Sequence, residues 1–331
     1  MDITVFKSKK LVVVGLVLLI LIWLATSPLY ASSSNIRLLS TILMYIILAV
    51  SWAMFSGPTG YMSLAPAAFF GVGIYTAAFL YARGSPLLPL PAVIVAACAI
   101  SFVIALLVGL VTLRLKGIYF AIFSFGLIVL LGLIVQYWEN QIIGRRGQHV
   151  VAEGTETVFY VMLAILVATL LVAYFLRRSR WGMAMLSIGG NEEAATHMGV
   201  NTTMVKVFTF AISATFMGAV GAIMATRWIY VDPSTAFNPM YSFMPVLMAV
   251  FGGMGQLYGP VLGAAVFAYL ERILRREFPA YYMIVFGVIL IIVVLFLPGG
   301  LVGLIPKLRD RLRGVIAKLR KGGQTEQHAN T

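Results

Sequence analysis

Asn191-Glu192-Glu193-Ala194-Ala195-Thr196-His197-Met198-Gly199 is a polar interval in a chain that is otherwise almost continuously apolar, and its two flanks decide the fold. The run before it, Thr157 to Leu176, and the run after it, Val205 to Trp228, are each long enough to cross about 30 Å of hydrocarbon. Between them Asn191 can cap a helix, and Glu192 and Glu193 put negative charge in its first turn, where the helix dipole favours it. Gly199 ahead of Asn201 can end that helix in a left-handed turn. The spacing predicts a helix of about two turns, roughly 10 Å long. A short capped helix outside the membrane suits docking of a soluble partner. A plain linker between two spans is the competing reading.

Composition extends the membrane reading to the whole chain. Of 331 residues 61% are hydrophobic and 11% charged, where an ordinary soluble domain carries about 25% charge. Further spans are expected at Leu11–Leu29, Ile36–Phe55, Met62–Tyr81, Leu90–Leu113 and Ile118–Tyr137. Met240–Phe251, Tyr258–Leu274 and Tyr281–Leu297 are read as spans eight to ten, giving an all-α polytopic protein of about ten transmembrane helices. The first run could pass for a signal peptide, but it is longer than a typical h-region and is read as a span.

Ten spans place both termini on one side, and the basic residues say which. Sixteen of the 24 Lys and Arg then fall in inside segments, including Lys7, Lys9, Lys10, Arg177, Arg178, Arg180 and Lys206, and eight fall outside. Because basic residues accumulate on the cytoplasmic side, both termini and the helix at Glu193 are expected in the cytoplasm. Residues 1–306 form the permeating domain, with a cytoplasmic loop at 177–206, and 307–331 form a basic amphipathic tail suited to anionic lipid. No soluble basic domain accompanies that tail, so nucleic acid is not an expected partner.

The chemistry that is missing narrows the function. The eleven carboxylates and three histidines all fall in expected loops, tails or span ends, so a proton relay and buried acid–base or metal catalysis are not expected. The one cysteine, Cys98, is read as a membrane packing residue, and no disulfide can form within the chain. No phosphate-binding loop is present, so no cofactor is expected in this chain and any ATP is hydrolysed elsewhere.

Two glycine-rich segments are candidates for a solute path through helix breaks. One comprises Gly57, Gly60 and Ser63 and leads to Gly71 and Gly73; the other comprises Gly252, Gly253, Gly255 and Gly259. Glycine also lets helices approach closely, so packing is the alternative reading of both.

Five stretches carry a family resemblance: Gly60-Tyr61-Met62-Ser63-Leu64 with Ala67 to Tyr75; Leu115 to Ala121; Asn191 to Ala195 with Gly199, Val200, Asn201 and Lys206; Gly252 to Gly255 with Tyr258-Gly259-Pro260; and Pro298 to Leu304. In this order they resemble the LivM-type membrane permeases of branched-chain amino acid ABC importers. The resemblance implies a non-enzymatic subunit with the ABC importer permease fold. It implies pairing with a homologous second permease, two cytoplasmic ATPase subunits that bind ATP, and an extracytoplasmic solute-binding protein. Asn191, Glu192, Glu193, Ala194, Ala195 and Gly199 match the loop that docks the ATPase. The chain departs from the pattern at Ala65-Pro66, at Ser124 to Ile128 and at Gly144-Arg145-Arg146-Gly147, which leaves room for a small carboxylate or amide as cargo. A stand-alone sodium-coupled or facilitative carrier is the alternative of another class.

Overall fold

The computed structural model describes residues 19, 22–82, 87–144, 146–296 and 300–303. Most of the first expected span, Arg145, Leu297 to Gly299, Leu304 and the tail 307–331 lie outside the described residues. Among the described residues a short 3-10 turn, Ser27–Leu29, is followed by twelve α-helices up to Phe296. They are α1 (Ser33–Thr59), α2 (Pro66–Leu80), α3 (Leu90–Thr112), α4 (Ile118–Trp138), α5 (Thr155–Arg178), α6 (Arg180–Gly190), α7 (Glu192–His197), α8 (Thr202–Trp228), α9 (Pro233–Ala236), α10 (Met240–Gly252), α11 (Tyr258–Glu277) and α12 (Tyr282–Phe296). A two-stranded antiparallel ribbon, β1 (Gln148–His149) with β2 (Tyr230–Val231), pairs Gln148 with Val231 and His149 with Tyr230.

Among the described residues five helices are long and apolar enough to cross a membrane: α1, α3, α4 with its π turn to Ile143, α5 and α8. They coincide with expected spans two and four to seven. The remaining segments are shorter or more polar. Expected span three becomes helical only at Pro66, and expected spans eight to ten are helices of 13, 20 and 15 residues.

Burial separates the centre of the bundle from its edge. The apolar windows of α1 and α8 are each 78% buried, that of α4 only 22%. The central helices reach this burial through small residues, because van der Waals fit rather than hydrophobic transfer holds helices together in lipid. A Cβ placed on Gly73 of α2 would collide with the backbone of Gly218 on α8, and one on Gly221 would collide with Phe70.

Two interruptions break the bundle. Helix α1 ends at Gly60 (φ 72°), after which residues 61–65 run without helical hydrogen bonds until Pro66 opens α2. Non-helical backbone at membrane depth is tolerated only when protein groups satisfy it. Side chains from three neighbouring helices do so, for this segment and for the first turn of α2. Trp52 Nε1 donates to Ser63 O (2.7 Å), Leu64 N to Ser124 Oγ (2.8 Å), Ala67 N to Ser242 Oγ (2.8 Å), and Ser242 Oγ to Leu64 O (2.9 Å). The second interruption is Gly253 (φ 104°) between α10 and α11, where Gly252, Gly259 and Gly263 meet backbone to backbone and Gly300 closes on Gly253.

The contrast between crowded and open glycines gives a direct test. Gly73→Ala is expected to destabilise the detergent-solubilised protein by about 1–3 kcal/mol through overpacking. Gly126, whose added Cβ meets nothing within 4 Å, is expected to accept Ala without loss in the same thermal melt.

Candidate functional site

The polar interval folds as two consecutive short helices. Ser179 Oγ accepts from Gly182 N (3.3 Å) and opens α6, an element the sequence reading left inside the loop 177–206. Asn191 Oδ1 then accepts from Glu193 N and Ala194 N, both at 3.0 Å, and opens α7. At the other end Gly199 is left-handed (φ 84°), with Gly199 N donating to Thr196 O (3.0 Å) and Val200 N to Ala195 O (3.1 Å). These are the two hydrogen bonds of a Schellman motif. Asn201 Oδ1 accepts from Met204 N (3.0 Å) and starts α8 at once. With caps at every junction, the element presents Glu193, Ala194, Thr196, His197 and Met198 to solvent as a fixed shape. Ala195 faces inward and is fully buried.

Glu192 also turns inward rather than toward a docking partner. Its carboxylate accepts from Lys206 Nζ (2.6 Å) and from Tyr61 Oη (2.5 Å). Lys206, the fifth residue of α8, is 3% exposed. Its ammonium also donates to Leu113 O (2.9 Å) and to Tyr61 Oη (3.0 Å), and it sits 4.6 Å from the centre of the Tyr61 ring. A buried ammonium has three protons to satisfy, and these three acceptors match them. Burial by itself would raise the Glu192 carboxyl. The hydrogen bonds from Lys206 and Tyr61 and the Lys206 charge outweigh it and hold the carboxyl below its ordinary value. Glu193, by contrast, is exposed and only loosely paired with Lys116 at 3.6 Å.

Both helix interruptions meet this element. Tyr61 belongs to the 61–65 segment. On the α1 side, a Cβ on Gly189 of α6 would strike the Pro58 backbone. Arg177, at the end of α5, donates through Nη2 to Met254 O (3.1 Å) and through Nη1 to Gly255 O (3.5 Å), clamping the glycine loop after α10. A Cβ on Gly57 would lie 3.2 Å from the same Met254 O. The structure therefore brings Gly57, Gly60, Gly253 and Gly255 to the side of the bundle that carries α6 and α7. It places Gly71 against Phe237, Gly73 against Gly218, and Gly252 against Gly259. Ser63 is buried at the Trp52 bond.

At the opposite end lies a cavity of about 450 Å³ along α4. Its apolar wall includes Ile128, Val129, Leu133 and Phe237, and its polar lining comprises Gln136, Arg146, Asp232 and Ser234. Asp232 caps α9 by accepting from Thr235 N (2.9 Å), Thr235 Oγ1 (3.0 Å) and Ser234 Oγ. Burial would raise this carboxyl, but the Ser234 and Thr235 hydrogen bonds prevail and keep it below its usual range. Glu139 is fully buried in the π turn that closes α4, accepting from Tyr75 Oη (3.1 Å) and Gly147 N (3.0 Å), which fixes the loop carrying Arg146.

Glu139, Lys206 and Glu271 are buried, at 0%, 3% and 6% exposed, although sequence position alone does not show it. All three stand near helix ends with hydrogen-bond or ion-pair partners, which is why sequence position placed them in loops or span ends. A lysine opening an apolar run was the one available signal for the buried pair. Among the described residues no group of three or more His, Cys, Asp or Glu is placed to hold a metal ion.

The family described as "Branched-chain amino acid transport system / permease component" matches residues 34–294. The chain is 28% identical over 342 residues to the LivM permease protein of the high-affinity branched-chain amino acid transport system of Salmonella typhimurium, spanning 92% of this chain and 77% of that one. The LivM permease protein of Escherichia coli K12 matches to the same extent. LivH of Salmonella typhimurium, another permease protein of that transport system, is 26% identical over 144 residues, which is 43% of this chain and 46% of LivH.

Three outcomes test the buried pair and the capped helix. Lys206→Met and Glu192→Gln each leave one member of the cluster without its partner and are expected to cost about 3–5 kcal/mol. The double variant is expected to recover part of that loss in a thermal-melt cycle. The folded-state carboxyl of Glu192 is lowered, so its contribution is fully present above the unfolded-state value and is lost as pH falls through the lower folded-state value. That acid-side loss is expected to be smaller in Glu192→Gln than in the wild type, the remainder coming from other lowered carboxyls such as Asp232. Gly199→Asp, forced into a left-handed turn at about 1 kcal/mol or more, is expected to insert normally but to retain less ATPase on co-purification.

Proposed function

The chain belongs to the branched-chain amino acid transport permease family, and on that premise we propose how it works as the membrane subunit of an ABC importer. It carries a branched-chain amino acid, or a related small carboxylate or amide, across the cytoplasmic membrane while separate subunits hydrolyse ATP. The family match favours this over a stand-alone carrier. A permease of this kind is not an enzyme in itself. In the proposed arrangement the chain crosses the membrane about ten times with both termini in the cytoplasm. It pairs with a second, homologous permease, two ATPase subunits and an extracytoplasmic binding protein.

The observation that carries the reading is the fixed element α6–α7, which is exposed on one side and tied on the other to both interruptions of the bundle. Docked on an ATPase through Glu193, Thr196, His197 and Met198, it would move as a unit. Lys206 and Tyr61 would carry that movement into the 61–65 segment. From there Leu64 bonds to Ser124 on α4, the helix whose far half lines the 450 Å³ cavity. The arrangement supports a lever running from the ATPase to the solute path.

That cavity is suited to the cargo. Asp232 and Arg146 offer opposite charges to an ammonium and a carboxylate, and the Ile128, Val129, Leu133 and Phe237 wall suits a branched apolar side chain. Polar groups beside the exposed apolar face of α4 would be stranded against hydrocarbon. A second permease packing across that face would shelter them and complete a path between subunits.

Uptake in membrane vesicles is expected to require ATP and to survive collapse of the proton and sodium gradients. Transport that fails with either gradient while ATP stays high would contradict the importer reading. Arg146→Ala is expected to lower uptake of a carboxylate solute several-fold without changing ATPase co-purification.

A further inference from the structure

A second cavity, of about 530 Å³, lies where α1 begins and α8 and α11 end. This is the end of the bundle remote from α6–α7, and the cavity shares no lining residue with the cargo cavity. Five guanidinium groups surround it: Arg37, Arg227, Arg272, Arg275 and Arg276. The one carboxylate in its lining, Glu271, is already engaged by Arg275 at 2.5 Å. Arg227 donates only to the neutral Thr41 Oγ1 (2.8 Å), and Nη1 of Arg272 is buried with no hydrogen-bond partner among the described residues. Like charges gathered in one concavity repel, and a buried guanidinium nitrogen left unpaired is costly. The cavity is therefore built for an anion that these residues do not supply. Guanidinium groups favour phosphate, which they bind with paired hydrogen bonds.

The surroundings say where the phosphate comes from. Trp228, Tyr45 and Tyr241 line the inner wall, the aromatic signature of the level at which lipid headgroups sit. Along α11, Leu262, Val266, Tyr269 and Ile273 form one exposed stripe at helical spacing, and its next position is Arg276. An acyl chain lying on that stripe would bring its headgroup to the arginines. We propose that this cavity binds the phosphate of an anionic phospholipid in the extracytoplasmic leaflet, with an acyl chain along the α11 stripe. The site is additional to the cargo path.

The test uses the full chain purified with its ATPase subunits into nanodiscs containing phosphatidylglycerol and phosphatidylcholine. Retained lipid is counted by native mass spectrometry after release into detergent. Wild-type protein is expected to retain phosphatidylglycerol in preference to phosphatidylcholine. Arg227→Gln with Arg272→Gln is expected to lower that retention at least fivefold. Arg276→Gln, an exposed rim change that leaves the buried groups in place, is expected to lower it about twofold, so the inference does not depend on the folding of the double variant. Equal retention in the wild type and the rim variant would overturn the proposal. Equal retention of phosphatidylglycerol and phosphatidylcholine, together with thermal stabilisation by millimolar inorganic phosphate, would overturn the lipid assignment in favour of a free anion. Unchanged lipid retention combined with weakened capture of the solute-binding protein would overturn it in favour of a protein-docking socket.

Discussion

A single ammonium group out of reach of water organises the side of this protein that carries α6 and α7. Lys206 is buried at the start of the central helix α8, and its charge is tolerable there only because Glu192, Tyr61 and the Leu113 carbonyl converge on it. Each partner comes from a different part of the fold: the short exposed helix α7, the non-helical 61–65 segment, and the end of α3. Satisfying one charge thus fixes the relative positions of three elements that are far apart in sequence. A hydrophobic residue at 206 would ask nothing of its neighbours.

The rest of the architecture follows from backbone groups that lipid cannot satisfy. Segment 61–65 abandons helical hydrogen bonding inside the bundle and recovers it from Trp52, Ser124 and Ser242 on α1, α4 and α10. The glycine loop after α10 recovers it from Arg177. Both breaks are therefore held by side chains that can be displaced, whereas the intact helices are held by their own backbones.

The sequence showed most clearly what depends on local spacing. Asn191, the acidic first turn and Gly199 announced α7 and its left-handed end, and long apolar runs announced α1, α3, α4, α5 and α8. What depended on three-dimensional approach stayed hidden. Glu192 and Glu193 are adjacent and identical in type, yet one is sealed against Lys206 and the other faces solvent, a distinction set by helical phase against α8. Gly73 is open to a path or a packing reading from sequence alone, and its approach to the Gly218 backbone on α8 appears only in three dimensions. The 450 Å³ cavity beside α4 escaped notice because its polar groups, Gln136, Arg146 and Asp232, come from three separate segments.

The central claim is that α7 and the 61–65 segment move as one body because Glu192, Lys206 and Tyr61 join them. Spin labels at His197→Cys and Met62→Cys, in a Cys98→Ala background, report the distance between the two in the assembled importer with and without trapped ATP. The account predicts one narrow distance distribution that is the same in both states, and a broadened one when Tyr61→Phe removes the hydroxyl. A distance that changes with ATP in the protein carrying Tyr61 would contradict it.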